Sequence, residues 1–344
     1  MRIVITGGAG FLGARLARAL LSQGQFSVNG QPPGTIEQIT LVDQFKPPAD
    51  LLADARVRAC VGELNGLLIP GPNGAQAIAK GTDVVYHLAA AVSAECEADF
   101  DLGMRSNLAA TQALLAACRA LGTTPVVVFA SSLAVFGLPA EAPYPSGPWI
   151  VTDDTLPTPQ TSYGIQKFIG EQLTADYTRK GYIRGRAARL MTVSVRPGKP
   201  NGAASGFFSG MVREPLAGLQ GACPVARETE VALSSPNRTI EGLLRVGQSS
   251  DAEWGPRTAI NLPALVTTVG EMAAALQRVA GKAVADLIDW TPDANIRRIV
   301  RSWPGRVESP RARGLGLQAD PDFDTVIRDY IRDNPTAIKG IIGA

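Results

Sequence analysis

The sequence predicts an α/β protein: a doubly wound parallel sheet followed by a smaller C-terminal substrate-binding lobe. Through the first half of the chain, short apolar strands alternate with amphipathic helices, a pattern typical of a parallel sheet covered by helices on both faces. The first strand and the first helix are joined by the glycine-rich stretch TGGAGFLG. After about Pro197 the alternation ends, and helical stretches separated by proline-rich turns indicate the lobe.

Each predicted element rests on its own pattern. Strands are predicted by the apolar runs RIVITG, ITLVD, VRACVGEL, DVVYHLAA, PVVVFASS and ARLMTVSVRPG. Helices are predicted by ARLARALLSQG, NLAATQALLAACRALG and YGIQKFIGEQLTADYTRKG, and in the lobe by SGFFSGMVREPLAG, TVGEMAAALQRVAG and FDTVIRDYIRDN. The turn residues of FSVNGQPPGTIEQ predict a loop or hairpin. We expect a domain of residues 1–196 and a lobe of residues 197–344, including any segments that return to the sheet.

Composition and charge favour a small-molecule substrate. The chain of 344 residues carries a formal charge of +2 from 33 basic and 31 acidic side chains. That balance provides no basic stripe for a nucleic acid backbone. No apolar run approaches the roughly 18 residues that span a bilayer, and a buried strand follows Met1 at once. We therefore expect a cytoplasmic protein that binds neither nucleic acid nor membrane.

The cysteines and the single histidine do not predict a metal site. Cys60, Cys96, Cys118 and Cys223 lack CxxC spacing, and buried free thiols are the expectation in a reducing compartment. His87 lies in the apolar strand VVYHLAAAV without a histidine or cysteine partner. We interpret it as a structural or cofactor-side group.

The glycines of TGGAGFLG predict a dinucleotide-binding turn. Gly7, Gly10 and Gly13 follow the pattern GxxGxxG between a strand and a helix. Such glycines allow a tight turn, close approach of the backbone to a pyrophosphate, and close packing of helix on strand, with the phosphates at the helix N-terminus. The adjoining backbone of Phe11 and Leu12 belongs to the same turn. A glycine-rich turn without a ligand is the alternative.

The residues that follow the next strands favour NAD as the cofactor. Asp43 ends the second strand, where a carboxylate accepts hydrogen bonds from the adenosine ribose and repels a 2′-phosphate, although Lys46 lies nearby. Glu63 and Leu64 follow the third strand and are placed to meet the adenine. Small side chains leave space for the cofactor after the fourth strand, at Ala89 and Ala90.

Three residues form the candidate catalytic group. Tyr163 and Lys167 stand four apart at the start of a predicted helix, so their side chains share one face. An adjacent ammonium stabilises a phenolate, which allows Tyr163 to act as a base near neutral pH. Ser132, at the end of the fifth strand, could hydrogen-bond the same substrate oxygen. The alternative is a half-buried tyrosine beside a solvated lysine.

These motifs resemble the extended short-chain dehydrogenase/reductases, which include nucleotide-sugar epimerases and dehydratases. The resemblance covers nearly the whole chain and rests on TGGAGFLG, Asp43, HLAA, SNLAATQALL, ASSLAVFG, YGIQKFIGE and ARGLGL. It implies a Rossmann sheet, NAD contacts that include Asn107 and Pro197, and hydride transfer at the nicotinamide. It also implies that Tyr163 exchanges the hydroxyl proton, that Lys167 assists it and binds the nicotinamide ribose, and that Ser132 orients the substrate oxygen.

Departures from the family pattern bear on the substrate. The stretches RPGKPN and SSPNRTIEGLLRV resemble a branch that oxidises a short sugar acid, whereas VFG and Gln166 replace the usual VYG and serine. A sugar acid needs a cation for its carboxylate and polar groups for its hydroxyls. The substrate-binding candidates are Arg238, then Lys199, with Ser93 and Asn201 for the hydroxyls, beside Ser132 and Tyr163.

Three functions remain open at this point. The first is NAD-dependent oxidation of a short sugar acid, and the second is nucleotide-sugar epimerisation, which returns the hydride to the substrate. The third is a non-catalytic redox-sensing protein, against which the intact Ser132, Tyr163 and Lys167 argue. The family resemblance also implies a homodimer joined through the helices at about residues 107–121 and 162–180, although the same apolar faces could cover the sheet.

Overall fold

The computed structural model describes residues 1–69, 77–139, 149–198 and 204–339. The sequence predicts one division of the chain, after residue 196, whereas the compact units of the structure interleave along the chain. The first unit consists of Met1–Ser132, Thr161–Arg189 and Ile240–Ile260, and the second of Leu133–Gln160, Leu190–Thr239 and Asn261–Ala344.

A seven-stranded sheet organises the first unit and confirms the predicted fold class. The strands are β1 (Arg2–Thr6), β4 (Gln38–Asp43), β5 (Val57–Val61), β6 (Val84–His87), β7 (Val126–Ser132), β9 (Arg184–Leu190) and β13 (Ile260–Asn261), and β2 (Gln25–Phe26) and β3 (Gly34–Thr35) form a separate hairpin. β1 pairs in parallel with β4 and β6, β4 pairs in parallel with β5, and β6 with β7. The strand order is β13-β9-β7-β6-β1-β4-β5.

The strand order reverses at β1. The chain proceeds from β1 to β4 and β5 on one side and then returns to β6 on the other side of β1. In doubly wound sheets, ligands bind outside the carboxyl ends of the strands at such a reversal. The segments after β1 and β6 are therefore the first place to examine for a bound dinucleotide.

The helices of the first unit follow the predicted pattern with one interruption. Residues Met104–Ala109 form a π-helix that leads into the next α-helix, so the predicted long helix contains one wider turn. The α-helices are α1 (Phe11–Gln23), α2 (Ala49–Leu52), α3 (Leu64–Leu68), α4 (Ser93–Ala98), α5 (Phe100–Gly103), α6 (Ala110–Ala120), α7 (Ser162–Arg179) and α10 (Asp251–Trp254), with α9 (Pro236–Gln248) lying mostly in this unit.

Apolar side chains of strands and helices bury one face of this sheet. Val4 and Val85 in the sheet pack in one cluster with Leu114 and Leu115 of α6, and each is at most 2% exposed. Burial of a leucine side chain contributes about 1.5–3 kcal/mol. This packing fixes the strand ends that carry the candidate site.

The predicted sixth strand is broken. It ends as β9 at Leu190, and Thr192–Val193 then forms β10, which pairs with β12 in a separate three-stranded sheet. The second unit contains β8 (Ile150–Val151), β10, β11 (Gly221–Ala222), β12 (Glu230–Ser234), β14 (Leu265–Thr268), β15 (Ile288–Asp289), β16 (Arg306–Val307), α8 (Gly206–Leu216), α11 (Val269–Ala280), α12 (Lys282–Ala285), α13 (Ala294–Arg301), α14 (Pro310–Gly314) and α15 (Phe323–Asp333), with 3-10 turns at Leu133–Val135 and Pro335–Ala337.

The second unit has its own apolar core. Phe208 and Met211 of α8, Leu276 of α11 and Ile327 of α15 are fully buried in one cluster. The three helices predicted for the lobe are thus all present. Within the described ranges, no helix has both the length and the apolar character needed to cross a membrane.

Candidate functional site

The glycine turn after β1 depends on bare backbone. Gly7 has a φ of +71°, and a Cβ there would lie 2.9 Å from the amide nitrogen of Ala89. A Cβ on Gly13 would lie 2.1 Å from the carbonyl oxygen of Gly7, and one on Gly10 would lie 3.2 Å from the same atom. The turn after β1 therefore contacts both α1 and the segment after β6, at the reversal of strand order.

The N-terminus of α1 suits a pyrophosphate. Gly10 caps the helix without a side-chain hydrogen bond, and the first turn contains no acidic residue. The amides of Phe11, Leu12 and Gly13 thus lack a side-chain acceptor, and the helix dipole favours an anion at this end. The residues present fit a dinucleotide phosphate.

Asp43 connects the end of β4 to the glycine turn. Its two carboxylate oxygens accept hydrogen bonds from the backbone amides of Ala9, at 3.0 Å, and Phe45, at 3.1 Å. Each carboxylate oxygen has further lone pairs for ribose hydroxyls. Glu63 caps α3, and Leu64 begins it, after the neighbouring strand β5. The arrangement places these residues at the same sheet edge, and their roles stay predictions.

The small residues after β6 are held by Asn107. The Asn107 amide accepts from the Ala91 amide at 2.8 Å and donates to the Ala91 carbonyl at 3.2 Å. It also donates to Cys96 Sγ at 3.3 Å and to Gln166 Oε1 at 2.8 Å. Asn107 is 5% exposed and lies in the π-helix. Its described contacts position the segment that includes Ala89 and Ala90, so a direct contact with NAD stays a prediction.

Lys167 brings Tyr163 and the end of β7 together. Lys167 Nζ lies 5.6 Å from the centroid of the Tyr163 ring and donates to the carbonyl oxygen of Ala130 at 2.8 Å. Ser132, two residues after Ala130, is the last residue of β7, and both Ser132 and Tyr163 are partly buried. The predicted shared face of Tyr163 and Lys167 is present in the structure.

The charge of Lys167 is held in a buried position. The side chain is 4% exposed, and burial lowers the pKa of Lys167 to about 8, against the opposing effects of Cys96 and Glu171. Nζ also lies 5.1 Å from the centroid of the Phe129 ring. An ammonium with a pKa near 8 remains mostly charged at neutral pH and can stabilise a phenolate beside it.

His87 is held at both ring nitrogens by threonine hydroxyls, and a structural or a cofactor-side role stays the interpretation. Its ring nitrogens contact Thr6 Oγ1 at 2.7 Å and Thr111 Oγ1 at 3.0 Å. Burial, with a smaller effect of the Lys167 charge, lowers the pKa of His87 to about 3. Among the described residues, no group of three histidine, cysteine or acidic side chains could hold a metal ion.

The candidate substrate residues are more dispersed. Ser93 begins α4 in the first unit, and Arg238 lies in the first turn of α9 in the second unit, where its amide donates to Ser235 Oγ at 3.1 Å. Pro197 follows β10 in the second unit. The predicted roles of Lys199 and Asn201 fall on residues outside the described part of the chain. The roles of these residues in substrate binding stay predictions.

Sequence reasoning missed the buried polar residues behind the candidate catalytic group. Glu171 accepts hydrogen bonds from Ser131 and Arg189, and Gln166 accepts one from Asn107. Two weak signals were available: Glu171 continues the four-residue spacing from Tyr163 through Lys167, and Ser131 precedes Ser132. Neither signal identifies the partner, because the partners lie far away in sequence.

Comparisons with known proteins agree with this fold. The model of the NAD dependent epimerase/dehydratase family matches residues 3–230. The chain is 48% identical over 333 residues to D-erythronate dehydrogenase of Cupriavidus necator, covering 97% of this chain and 98% of that protein. It is 40% identical over 332 residues to D-erythronate dehydrogenase of Haemophilus influenzae, covering 96% and 99%.

A solved structure is similar over nearly the same length. The crystal structure of the nucleoside-diphosphate-sugar epimerase from Agrobacterium tumefaciens has a TM-score of 0.85 and 39% identity, and the match covers 98% of this chain and 95% of that chain. The relatives' names thus divide between a dehydrogenase and an epimerase, both within one fold.

Proposed function

This chain belongs to the NAD dependent epimerase/dehydratase family, and we propose that it oxidises D-erythronate to 2-dehydro-D-erythronate with NAD as the hydride acceptor. It is an NAD-dependent oxidoreductase. The observation that carries the proposed chemistry is the buried ammonium of Lys167 beside the Tyr163 ring. The observation that favours the substrate is near full-length similarity to two D-erythronate dehydrogenases.

The chain's own residues divide the work of binding and proton transfer. The turn of Gly7, Gly10 and Gly13 and the first amides of α1 would hold the pyrophosphate, and Asp43 the adenosine ribose. When bound, NAD supplies the acceptor for a hydride at its nicotinamide ring. Its nicotinamide end would meet the segment after β6 and Lys167.

Proton transfer falls to Tyr163. The phenolate of Tyr163 takes the proton from the substrate hydroxyl at C2, while the hydrogen on C2 leaves with its electron pair and a carbonyl forms. Lys167 stabilises the phenolate by its charge, and Ser132 donates a hydrogen bond to the reacting oxygen. Arg238 and Lys199 remain the proposed partners of the substrate carboxylate, and Ser93 and Asn201 those of its hydroxyls.

The test measures NADH formation with D-erythronate and other C4 to C6 sugar acids, each with NAD and with NADP. We expect NADH with D-erythronate and little NADPH, because Asp43 disfavours a 2′-phosphate. Tyr163→Phe should abolish turnover, a loss of at least about 100-fold, while NADH still binds. Full turnover by the Tyr163→Phe enzyme would contradict the catalytic assignment of Tyr163, whereas NADH binding without turnover of any substrate by the parent chain would favour the redox-sensing alternative.

The second candidate function is nucleotide-sugar epimerisation. The similar structure from Agrobacterium tumefaciens, described as a nucleoside-diphosphate-sugar epimerase, favours it. An epimerase would interconvert a UDP-sugar without net NADH. Conversion of a UDP-sugar, together with no NADH from any sugar acid, would therefore replace the first proposal by the second.

We also propose a homodimer joined through α6 and α7. Large apolar side chains are exposed in this part of the first unit, with Phe100 60% and Ile165 47% accessible. A second copy of the chain would cover these two side chains and remove their apolar surface from water. Analytical ultracentrifugation should give a dimer for the parent chain and a monomer for Ile165→Lys, whereas a parent monomer would contradict the dimer.

The cytoplasm is the proposed location of the enzyme. The four cysteines at positions 60, 96, 118 and 223 are all free and buried, which suits a reducing compartment. Fractionation of cells that produce the tagged chain should place its activity with cytoplasmic marker enzymes. Recovery with secreted or membrane-bound material would contradict this location.

A further inference from the structure

We propose that Glu171 is a positioning residue that holds Lys167 and the serine-bearing end of β7 in register through Ser131 and Arg189. The proposal rests on the proposed function, since it gives a role to the residues behind Tyr163, Lys167 and Ser132. Glu171 has no place in the substrate or cofactor contacts and acts through its neighbours.

Glu171 joins three elements in a buried cluster. Its Oε1 accepts from Ser131 Oγ at 2.5 Å and from Arg189 Nε at 2.9 Å, and its Oε2 accepts from Arg189 Nη2 at 2.9 Å. Glu171 and Ser131 are each 2% exposed and Arg189 is 4% exposed. Glu171 and Arg189 thus form a bidentate ion pair, a geometry that fixes the orientation of the guanidinium. This ion pair and the Ser131 hydrogen bond connect α7, β7 and β9.

The cluster continues the contact made by Lys167. Lys167 donates to the carbonyl oxygen of Ala130, and one helical turn later Glu171 accepts from the hydroxyl of the next residue in β7, Ser131. Two residues of α7 that are one helical turn apart are therefore hydrogen-bonded to two consecutive residues of β7. Two such hydrogen bonds fix both the rotation of α7 about its axis and its position along β7. Ser132 follows directly, so its position is set by the same hydrogen bonds.

Glu171 also supplies negative charge to Lys167. The titratable groups around Lys167 come from three elements: Cys96 on α4, Tyr163 and Glu171 on α7, and His87 on β6. The pKa of His87 is lowered by burial and by the lysine charge, so its ring is neutral at neutral pH. Cys96 and then Glu171 raise the pKa of Lys167 against the larger lowering by burial. Removal of the Glu171 charge therefore makes deprotonation of Lys167 easier.

The choice of substitution for Glu171 must take account of its buried partner, the Arg189 guanidinium. Replacement of Glu171 alone leaves Arg189 buried without its carboxylate, which is strongly destabilising. The single variant Glu171→Gln is therefore paired with the double variant Glu171→Gln/Arg189→Met, in which neither charge remains. Glu171→Asp keeps the charge, and Ser131→Ala removes one hydroxyl while every charge stays.

The first measurement follows Lys167 itself and needs no substrate. In full-length enzyme carrying ¹³Cε-labelled lysine, an NMR pH titration should give a midpoint near 8 for Lys167, distinct from exposed lysines. We expect the midpoint to fall by about one pH unit in Glu171→Gln. If that variant does not fold, the double variant, which loses a positive charge as well as a negative one, should show a smaller fall of the midpoint. It should stay near the parent value in Glu171→Asp and Ser131→Ala. An unchanged midpoint in the folded charge-removal variant would overturn the proposal.

The second measurement is the pH profile of kcat with D-erythronate and NAD. At alkaline pH, kcat should fall as Lys167 loses its proton. This fall should occur at lower pH in Glu171→Gln than in the parent enzyme, and at the parent pH in Glu171→Asp. Ser131→Ala should lower kcat several-fold with the pH of this fall unchanged, and a parent-like kcat would contradict the role of Ser131 in register. If the parent enzyme does not oxidise D-erythronate, the proposed function fails, while the NMR titration still decides the role of Glu171.

Discussion

Asn107 and Gln166 form a buried amide pair whose orientation follows from the backbone. The Ala91 amide must donate to Asn107 Oδ1, so Asn107 Nδ2 faces Gln166 and makes Gln166 Oε1 the acceptor. Gln166 Nε2 is left buried without a partner in the described structure, beside Gly103, where a Cβ would lie 2.5 Å away. The pair links the residue before Lys167 to the segment after β6, yet only one member is fully satisfied.

Because Asn107 has all its hydrogen bonds and Gln166 does not, we predict that substitutions of the two residues lower the free energy of unfolding by different amounts. Asn107→Leu leaves the amide of Ala91 and the Gln166 oxygen without a partner and the Ala91 carbonyl with only the Cys96 thiol, and we expect it to lower the free energy of unfolding by about 3 kcal/mol. Gln166→Met should cost about 1 kcal/mol or less, because the amide it removes had one unsatisfied nitrogen. Urea unfolding of both variants measures the difference. Equal losses would contradict the assigned orientation.

At the scale of elements, the turn from β1 to α1 leaves no room for a side chain at Gly13. A Cβ on Gly13 would lie 2.1 Å from a backbone oxygen, a contact that no side-chain motion can relieve. In contrast, a Cβ on Gly314, at the end of α14, meets nothing within 4 Å. Gly314 is therefore a suitable control for Gly13, because packing requires glycine at position 13 and leaves room for a side chain at position 314.

We predict that Gly13→Ala separates α1 from the turn. NADH affinity should fall at least about 10-fold, since the first-turn amides lose their position, and the thermal midpoint should fall as well. Gly314→Ala should leave both unchanged or raise the midpoint slightly. Fluorescence titration with NADH and a thermal melt measure these effects. Parent-like NADH affinity in Gly13→Ala would show that the turn does not hold the pyrophosphate.

The features of the elements that depend on neighbouring residues in the sequence could be predicted. The glycine turn, the strand ends at Asp43 and Ser132, and the shared face of Tyr163 and Lys167 all follow from spacing along one strand or helix. The wider turn at Met104–Ala109 and the break of the sixth strand at Met191 do not, because both depend on distant partners. The Glu171 cluster escaped prediction for the same reason.

At the scale of the whole molecule, His87 couples stability to pH. The pKa of His87 is about 3 in the fold, against an ordinary value of 6.5, so below pH 6.5 the unfolded chain binds a proton that the folded chain does not. Stability contributed by neutral His87 is present above pH 6.5 and is lost as the pH falls from there toward 3. The slope is at most about 1.4 kcal/mol per pH unit.

We predict that His87→Gln flattens this dependence between pH 6.5 and 5. The chain contains one histidine, and ordinary carboxyl groups titrate lower, so few other groups act in that window. Urea unfolding at several pH values measures the slope in both proteins. Because glutamine can still contact Thr6 and Thr111, the variant should remain folded, and an equal slope in the variant and the parent would assign the pH dependence to other groups.

The interleaving of the two units bears on biosynthesis. The first unit is completed by Ile240–Ile260, including Ser249 and Asp251, which accept hydrogen bonds from the buried guanidinium of Arg186. A chain emerging from the ribosome therefore exposes Arg186 long before its partners exist. The first unit therefore cannot complete the hydrogen bonds of Arg186 until the chain has been synthesised past Asp251.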